Sequence, residues 1–116
     1  MSLKTWLTAA CTLMLAASVQ AEALKLVFTG DIMLDDGPGR LIGKGGDPLL
    51  LFSAILQDAD YRIGNLECAI AESGNQIDNK IYNFRAKPRV MRILKGRIDA
   101  VSLANNHAGD FGHEAF

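Results

Sequence analysis

The chain has few cysteines, no excess of positive charge and no apolar run long enough to span a bilayer comfortably. Its two cysteines are Cys11 and Cys68. Loss of Cys11 with an N-terminal signal would leave Cys68 alone, which excludes a disulfide framework within the chain. Cys68 is then expected to be a small buried apolar side chain rather than a metal ligand. Twelve basic residues against 13 acidic ones argue against nucleic acid or an anionic membrane surface as a partner.

The first residues are typical of an export signal. Lys4 supplies a positive start, residues 6–17 form an apolar run, and small residues precede Glu22 at the positions that a signal peptidase reads. The run is shorter than the roughly 20 residues of a membrane-spanning helix. We therefore predict a signal peptide at residues 1–21, a domain starting at residue 22, and a periplasmic or extracellular protein. The alternative is an uncleaved segment that anchors the protein to the membrane.

Strands alternate with helices in the rest of the chain. Apolar runs predict strands at residues 24–29, 60–66 and 98–104, and helices follow Asp47-Pro48 and Pro88. This order predicts an α/β fold with a parallel sheet and right-handed crossovers. The glycine-rich stretch at 35–39 reads as a loop, and residues 77–84 fit either a strand or an extended loop.

The C-terminal residues resemble the start of a third helix. Asp110 would be its N-cap, and the chain stops one turn later. We therefore expect residues 22–116 to be the N-terminal part of a longer domain, marginally stable alone.

Each predicted strand ends in polar residues of the kind that bind ligands. Asp31 follows the first strand, Asn65 and Glu67 end the second, and residues 105–107 (Asn-Asn-His) follow the third. Because ligands bind beyond the carboxyl ends of parallel strands, these side chains are expected to meet at one edge as a metal or phosphate site. The alternatives are a turn-forming Asp31, solvated strand positions at Asn65 and Glu67, and amides that only bond the turn.

The types of these residues suggest their roles. A carboxylate or an amide oxygen can bind a divalent cation, and the His107 imidazole can exchange a proton with a bound oxyanion. Arg85 and Lys87 can bind an anionic substrate, with ordinary solvated charges as the alternative.

Four motifs in this order resemble the bacterial capsule-synthesis CapA family, also called the poly-γ-glutamate synthesis proteins. They are G-D-I-M-L at 30–34, G-N-L-E at 64–67, N-F-R-A-K-P at 83–88 and A-N-N-H-A-G-D-F-G at 104–112. The similarity runs from about residue 24 to the end of the chain. It implies a layered, calcineurin-like metallophosphoesterase fold with flanking helices, here incomplete at the C-terminus, and a metal site at the strand ends.

The resemblance also implies roles for individual residues. Asp31, Glu67 and Asn106 correspond to metal ligands, for Mn, Zn or Mg, and His107 to the phosphate-facing catalytic histidine. Met33 stands where the phosphoesterases usually have a histidine, which removes one ligand. Substrate contacts are expected from five residues: Asn65, Asn105, Asp110, Arg85 and Lys87.

The implied function is the biosynthesis, export or anchoring of an extracellular anionic polymer. The partners would be that polymer or its precursor and, alongside it, membrane-associated synthesis machinery. A metal-dependent hydrolase or transferase is one form of this function. A non-catalytic surface protein that binds the polymer is the second, and a truncated, inactive fragment is the third.

Overall fold

The fold is built on a three-stranded parallel sheet. The computed structural model describes residues 22–116, so the predicted signal peptide at 1–21 lies outside the described residues. The strands are β1 (Leu26–Ile32), β2 (Tyr61–Leu66), β3 (Ala69–Ile70), β4 (Arg85–Ala86) and β5 (Ala100–Ser102). The main sheet has the order β1-β2-β5 with all strands parallel, and β3 pairs with β4 in a separate parallel pair. The predicted α/β class and parallel sheet are thus confirmed.

The sequence predicted that the first strand ends at Thr29, but β1 continues to Ile32. Its pairing with β2 shifts register between Phe28 and Asp31, and it then continues through Asp31↔Asn65 to Ile32. Gly30 lies in this shift with a φ of 71°, a conformation that a glycine adopts at a β-bulge. The bulge absorbs the extra residue instead of ending the strand. Asp31 therefore lies within the sheet, directly beside Asn65.

Short helices connect β1 to β2. They are α1 (Asp36–Gly43), a 3₁₀ turn (Leu50–Phe52) and α2 (Ser53–Gln57). The loop predicted at 35–39 is wrong, because α1 begins there. Pro38 is tolerated because it falls in the first turn, where backbone N–H groups have no helical partner. The helix predicted after Asp47-Pro48 starts later, since Asp47 Oδ1 first accepts the N–H of Leu49 at 2.9 Å in a turn.

The connection from β2 to β5 contains β3, β4, a 3₁₀ turn (Pro88–Val90) and α3 (Met91–Leu94). Residues 77–84 form no regular element. The third helix expected from Asp110 is wrong for the described residues, which form turns from 106 to 111 and again before the end. The Asp110 side chain points inward instead of capping a helix.

The core lies between the main sheet and the connecting segments. It consists of nine buried residues: Ile32, Leu34, Ile42, Leu66, Cys68, Ala86, Val90, Ile93 and Leu94. Cys68 is 1% exposed, and burial raises the pKa of its thiol. Cys68 is therefore a neutral packing residue, as expected.

Two glycines of α1 should respond differently to alanine. A Cβ at Gly39 would lie 2.7 Å from the Leu34 carbonyl oxygen, whereas one at Gly37 would meet only Arg40 Nη2 at 3.9 Å. Alanine favours a helix over glycine by about 1 kcal/mol, but relieving a backbone clash costs about 1–3 kcal/mol. We expect Gly39→Ala to lower the free energy of unfolding in urea and Gly37→Ala to leave it unchanged or raise it. Equal effects of the two substitutions would contradict this packing of α1.

Candidate functional site

One amide joins the carboxylates at the ends of β1 and β2. Asn65 Nδ2 donates to Asp31 Oδ1 at 2.8 Å and also to Glu67 Oε2. Its orientation is set by the other end of the amide, because Asn65 Oδ1 accepts a hydrogen bond from Asn105. The two carboxylates therefore share a neutral donor in this arrangement.

Asn105 fastens the segment after β5 to β2. Its Nδ2 donates to Asn65 Oδ1 at 2.8 Å and to the Leu66 carbonyl at 2.9 Å. Its Oδ1 accepts the N–H groups of His107 at 2.9 Å and Ala108 at 3.0 Å. The amides of Asn105 and Asn65 thus hydrogen-bond to other protein groups. These hydrogen bonds position His107 beside the strand ends.

His107 is buried, and its ring is held by a hydrogen bond at Nδ1 and by an aromatic contact. Its Nδ1 lies 2.7 Å from Asp110 Oδ2, and its ring centroid is 4.6 Å from that of Phe84. A neutral imidazole that donates from Nδ1 carries its lone pair on Nε2. That Nε2 lies 3.8 Å from Glu67 Oε1. His107 therefore presents a proton acceptor next to the edge occupied by Glu67.

Asp110 has no exposed surface and accepts three hydrogen bonds. The donors are Lys80 Nζ, His107 Nδ1 and the Phe84 backbone N–H, the last at 2.8 Å. Burial raises the pKa of this carboxyl, but these hydrogen bonds outweigh burial, so its pKa lies below the ordinary value. Asp110 is therefore ionised at neutral pH and oriented toward His107.

Sequence reasoning missed Lys80, which bonds both Asp110 and the Asn106 carbonyl. Lys80 is one lysine in an irregular segment, so no sequence signal marked it. Phe84 lies inside the N-F-R-A-K-P motif, which was the only available indication of its contact with His107.

Two of the three predicted metal ligands, Asp31 and Glu67, lie close together through their shared donor Asn65. The third, Asn106, lines a cleft of about 550 Å³ together with Lys80 and His107. Between residues 22 and 116, no three His, Cys, Asp or Glu side chains meet closely enough to hold an ion. The donor set as arranged does not fit a metal ion, because an amide N–H group lies between the two carboxylates. The metal and its ligands stay a prediction.

Arg85 and Lys87 lie apart from this group. The Arg85 guanidinium donates to the Gly74 carbonyl at 2.9 Å and covers the Phe111 ring at 4.3 Å from its centroid. Lys87 forms an exposed ion pair with Glu72 at 3.2 Å. Both residues line a second cleft, which Phe84 borders as well.

Comparison with known proteins identifies the family. The family model described as the bacterial capsule synthesis protein PGA_cap matches residues 25–116. No curated protein matches the chain. Within the part of the chain that the structure describes, no helix is long and apolar enough to cross a membrane. The match covers all five strands and every residue of the candidate site, so the chain belongs to the bacterial capsule synthesis protein family PGA_cap.

Proposed function

We propose that this protein acts outside the cytoplasm in the synthesis, export or anchoring of an anionic capsule polymer such as poly-γ-glutamate, and that it cleaves or transfers that polymer at His107. Family membership supports a role in capsule synthesis. The observation that carries the chemical part of the proposal is the buried His107–Asp110 pair, whose free Nε2 lies beside Glu67.

The pair is suited to general acid–base catalysis. Asp110 accepts a hydrogen bond from the His107 Nδ1–H, fixes the ring, and stabilises the imidazolium that forms when Nε2 takes a proton. In the proposed step a water O–H gives its proton to Nε2 while its oxygen attacks an amide or phosphoryl centre of the polymer. The imidazolium then returns that proton to the leaving group, so His107 ends the cycle neutral. Glu67 Oε1, 3.8 Å from Nε2, can accept the second hydrogen bond of the water.

A binding role without catalysis is the second candidate. It is favoured because the polar side chains at the site already hydrogen-bond to other groups of the protein. These side chains are Asn65, Asn105 and Asp110. These bonds leave few side chains to hold a reacting group.

Substitution of His107 by glutamine separates the two candidates. We expect His107→Gln to lower polymer cleavage by about 100-fold or more, because glutamine cannot take up a proton. The assay would incubate the purified 116-residue chain with poly-γ-glutamate and measure the new amino groups. His113→Gln is the matched control, since His113 is exposed, and it should cleave at the unsubstituted rate. Equal rates in both variants would reject catalysis at His107, and no cleavage by the unsubstituted chain would favour the binding role or the truncated, inactive fragment.

A further inference from the structure

A cleft of about 480 Å³ collects positive charge on a chain whose net charge is −1. We call it the basic cleft, and it is lined by four cationic residues: Arg40, Arg85, Lys87 and Arg89. Asp35 and Asp36 are its two acidic residues. The cleft therefore has two more cations than carboxylates, whereas the chain as a whole is slightly acidic.

The cations of the basic cleft are weakly neutralised. Arg89 has no carboxylate within ion-pair distance among residues 22–116. Lys87 pairs with Glu72 and Arg40 with Asp36, but all four of these side chains are largely exposed. Exposed pairs are held by little free energy and exchange readily for another anion.

Residues that line the basic cleft are positioned by hydrogen bonds that do not neutralise its positive charge. Asp35 Oδ2 accepts the backbone N–H of Arg85 at 2.7 Å, so this carboxylate serves the backbone and not a guanidinium. The Arg85 guanidinium is oriented by the Gly74 carbonyl and the Phe111 ring. Gly74 and Phe111 do not line the basic cleft, so its exposed cations Lys87 and Arg89 are the ones most available to a ligand.

The basic cleft adjoins the cleft at His107. Phe84 lines both, and its ring packs against the His107 ring at a centroid distance of 4.6 Å. An extended ligand seated on the cations would thus lead toward the cleft at His107.

We propose that the basic cleft binds successive carboxylates of an acidic polymer and directs the chain toward His107. A surplus of two positive charges suits singly charged groups spaced along a chain. Only the choice of polymer rests on the proposed function, since the anion site itself requires no catalysis.

The test measures binding of a fluorescein-labelled oligomer of γ-linked glutamate to the full chain by fluorescence anisotropy. The test variant is Lys87→Gln/Arg89→Gln, because both side chains are exposed and their loss should not affect folding. The matched control is Lys44→Gln/Lys95→Gln, which removes the same charge from exposed positions outside the cleft. We expect the test variant to bind about tenfold more weakly, as for the loss of two exposed ion pairs, and the control to bind nearly as the unsubstituted chain does.

Equal weakening in both double variants would show non-specific attraction and overturn the proposal, as would unchanged binding in the test variant. Stronger binding of polyphosphate than of the glutamate oligomer would reject the carboxylate assignment. The anisotropy measurement does not depend on cleavage, so a chain without cleavage activity can still show the expected difference between the test and control variants. A failure of the cleavage hypothesis can therefore be distinguished from a failure of the hypothesis that the basic cleft binds anions.

Discussion

Replacing Asp110 with alanine is expected to lower the free energy of unfolding by about 3 kcal/mol. Asp110 is fully buried and is the common acceptor for Lys80, His107 and the Phe84 N–H. The substitution leaves the Phe84 N–H and the His107 Nδ1–H without a partner in a water-poor region. The Lys80 side chain is 26% exposed, so its ammonium can turn to solvent, which keeps the expected loss at the lower end of the range for broken buried ion pairs.

Urea unfolding measures this loss, with Asp78→Ala as the matched control. Asp78 is an exposed aspartate in the irregular segment 77–84, so its substitution should change the free energy of unfolding by no more than about 0.5 kcal/mol. A loss for Asp110→Ala as small as that of the control would show that the inward position of Asp110 is wrong.

The contribution of Asp110 should also depend on pH. Its pKa is lowered in the folded protein, so it stabilises the fold above the unfolded-state pKa of about 4, and this stability is lost as the pH falls through the folded pKa. Asp47 and Asp99 have lowered pKa values as well, through hydrogen bonds from Arg97 and Arg62. The informative quantity is therefore the difference between the unsubstituted chain and Asp110→Asn, which should shrink below pH 4.

Replacing Asn65 with aspartate is expected to lower the free energy of unfolding by about 2 kcal/mol at pH 7. Asn65 Nδ2 is the donor that Asp31 and Glu67 share. Replacing this amide donor with a carboxylate removes both hydrogen bonds and places a third negative group between Asp31 and Glu67. Three such groups repel one another, and they also provide the oxygen ligands that a divalent cation prefers. Added Mn²⁺ should therefore restore much of the lost stability in this variant.

Thermal unfolding with and without Mn²⁺ tests this result, and Asn75→Asp supplies the control. Asn75 is exposed, so its substitution adds the same charge away from the site. An Asn65→Asp variant as stable as the control, or one insensitive to both Mn²⁺ and lower pH, would contradict the shared-donor arrangement.

The elements that follow from local pattern were predictable from the sequence. Apolar runs located the three strands of the main sheet, and the polar residues at their ends marked the edge at which Asp31, Asn65 and His107 meet. Gly96 has a φ of 74° at the end of the helical segment after Pro88, as a C-terminal glycine should.

The remaining features depend on tertiary contacts that no local pattern encodes. A glycine before Asp31 fits a turn as well as a bulge, and only pairing with β2 decides between them. Asp110 has the local features of a helix N-cap, but hydrogen bonds from Lys80, His107 and the Phe84 N–H draw its carboxylate inward. Lys80 acquires its role solely because an irregular segment brings it to Asp110, 30 positions further along the chain.

The parallel topology also bears on how the chain reaches this structure. The pairing of β1 with β2 joins residues such as Leu26 and Tyr61, 35 positions apart, and that of β2 with β5 joins Ile63 and Ala100, 37 apart. Among the described strands no two are linked by a hairpin, because every pairing is parallel. Each strand contact thus requires closure of a long loop before it contributes a hydrogen bond, a property associated with slow folding. The helices are too short to persist alone, so the sheet, the helices and the His107 pocket should form in one cooperative, rate-limiting event.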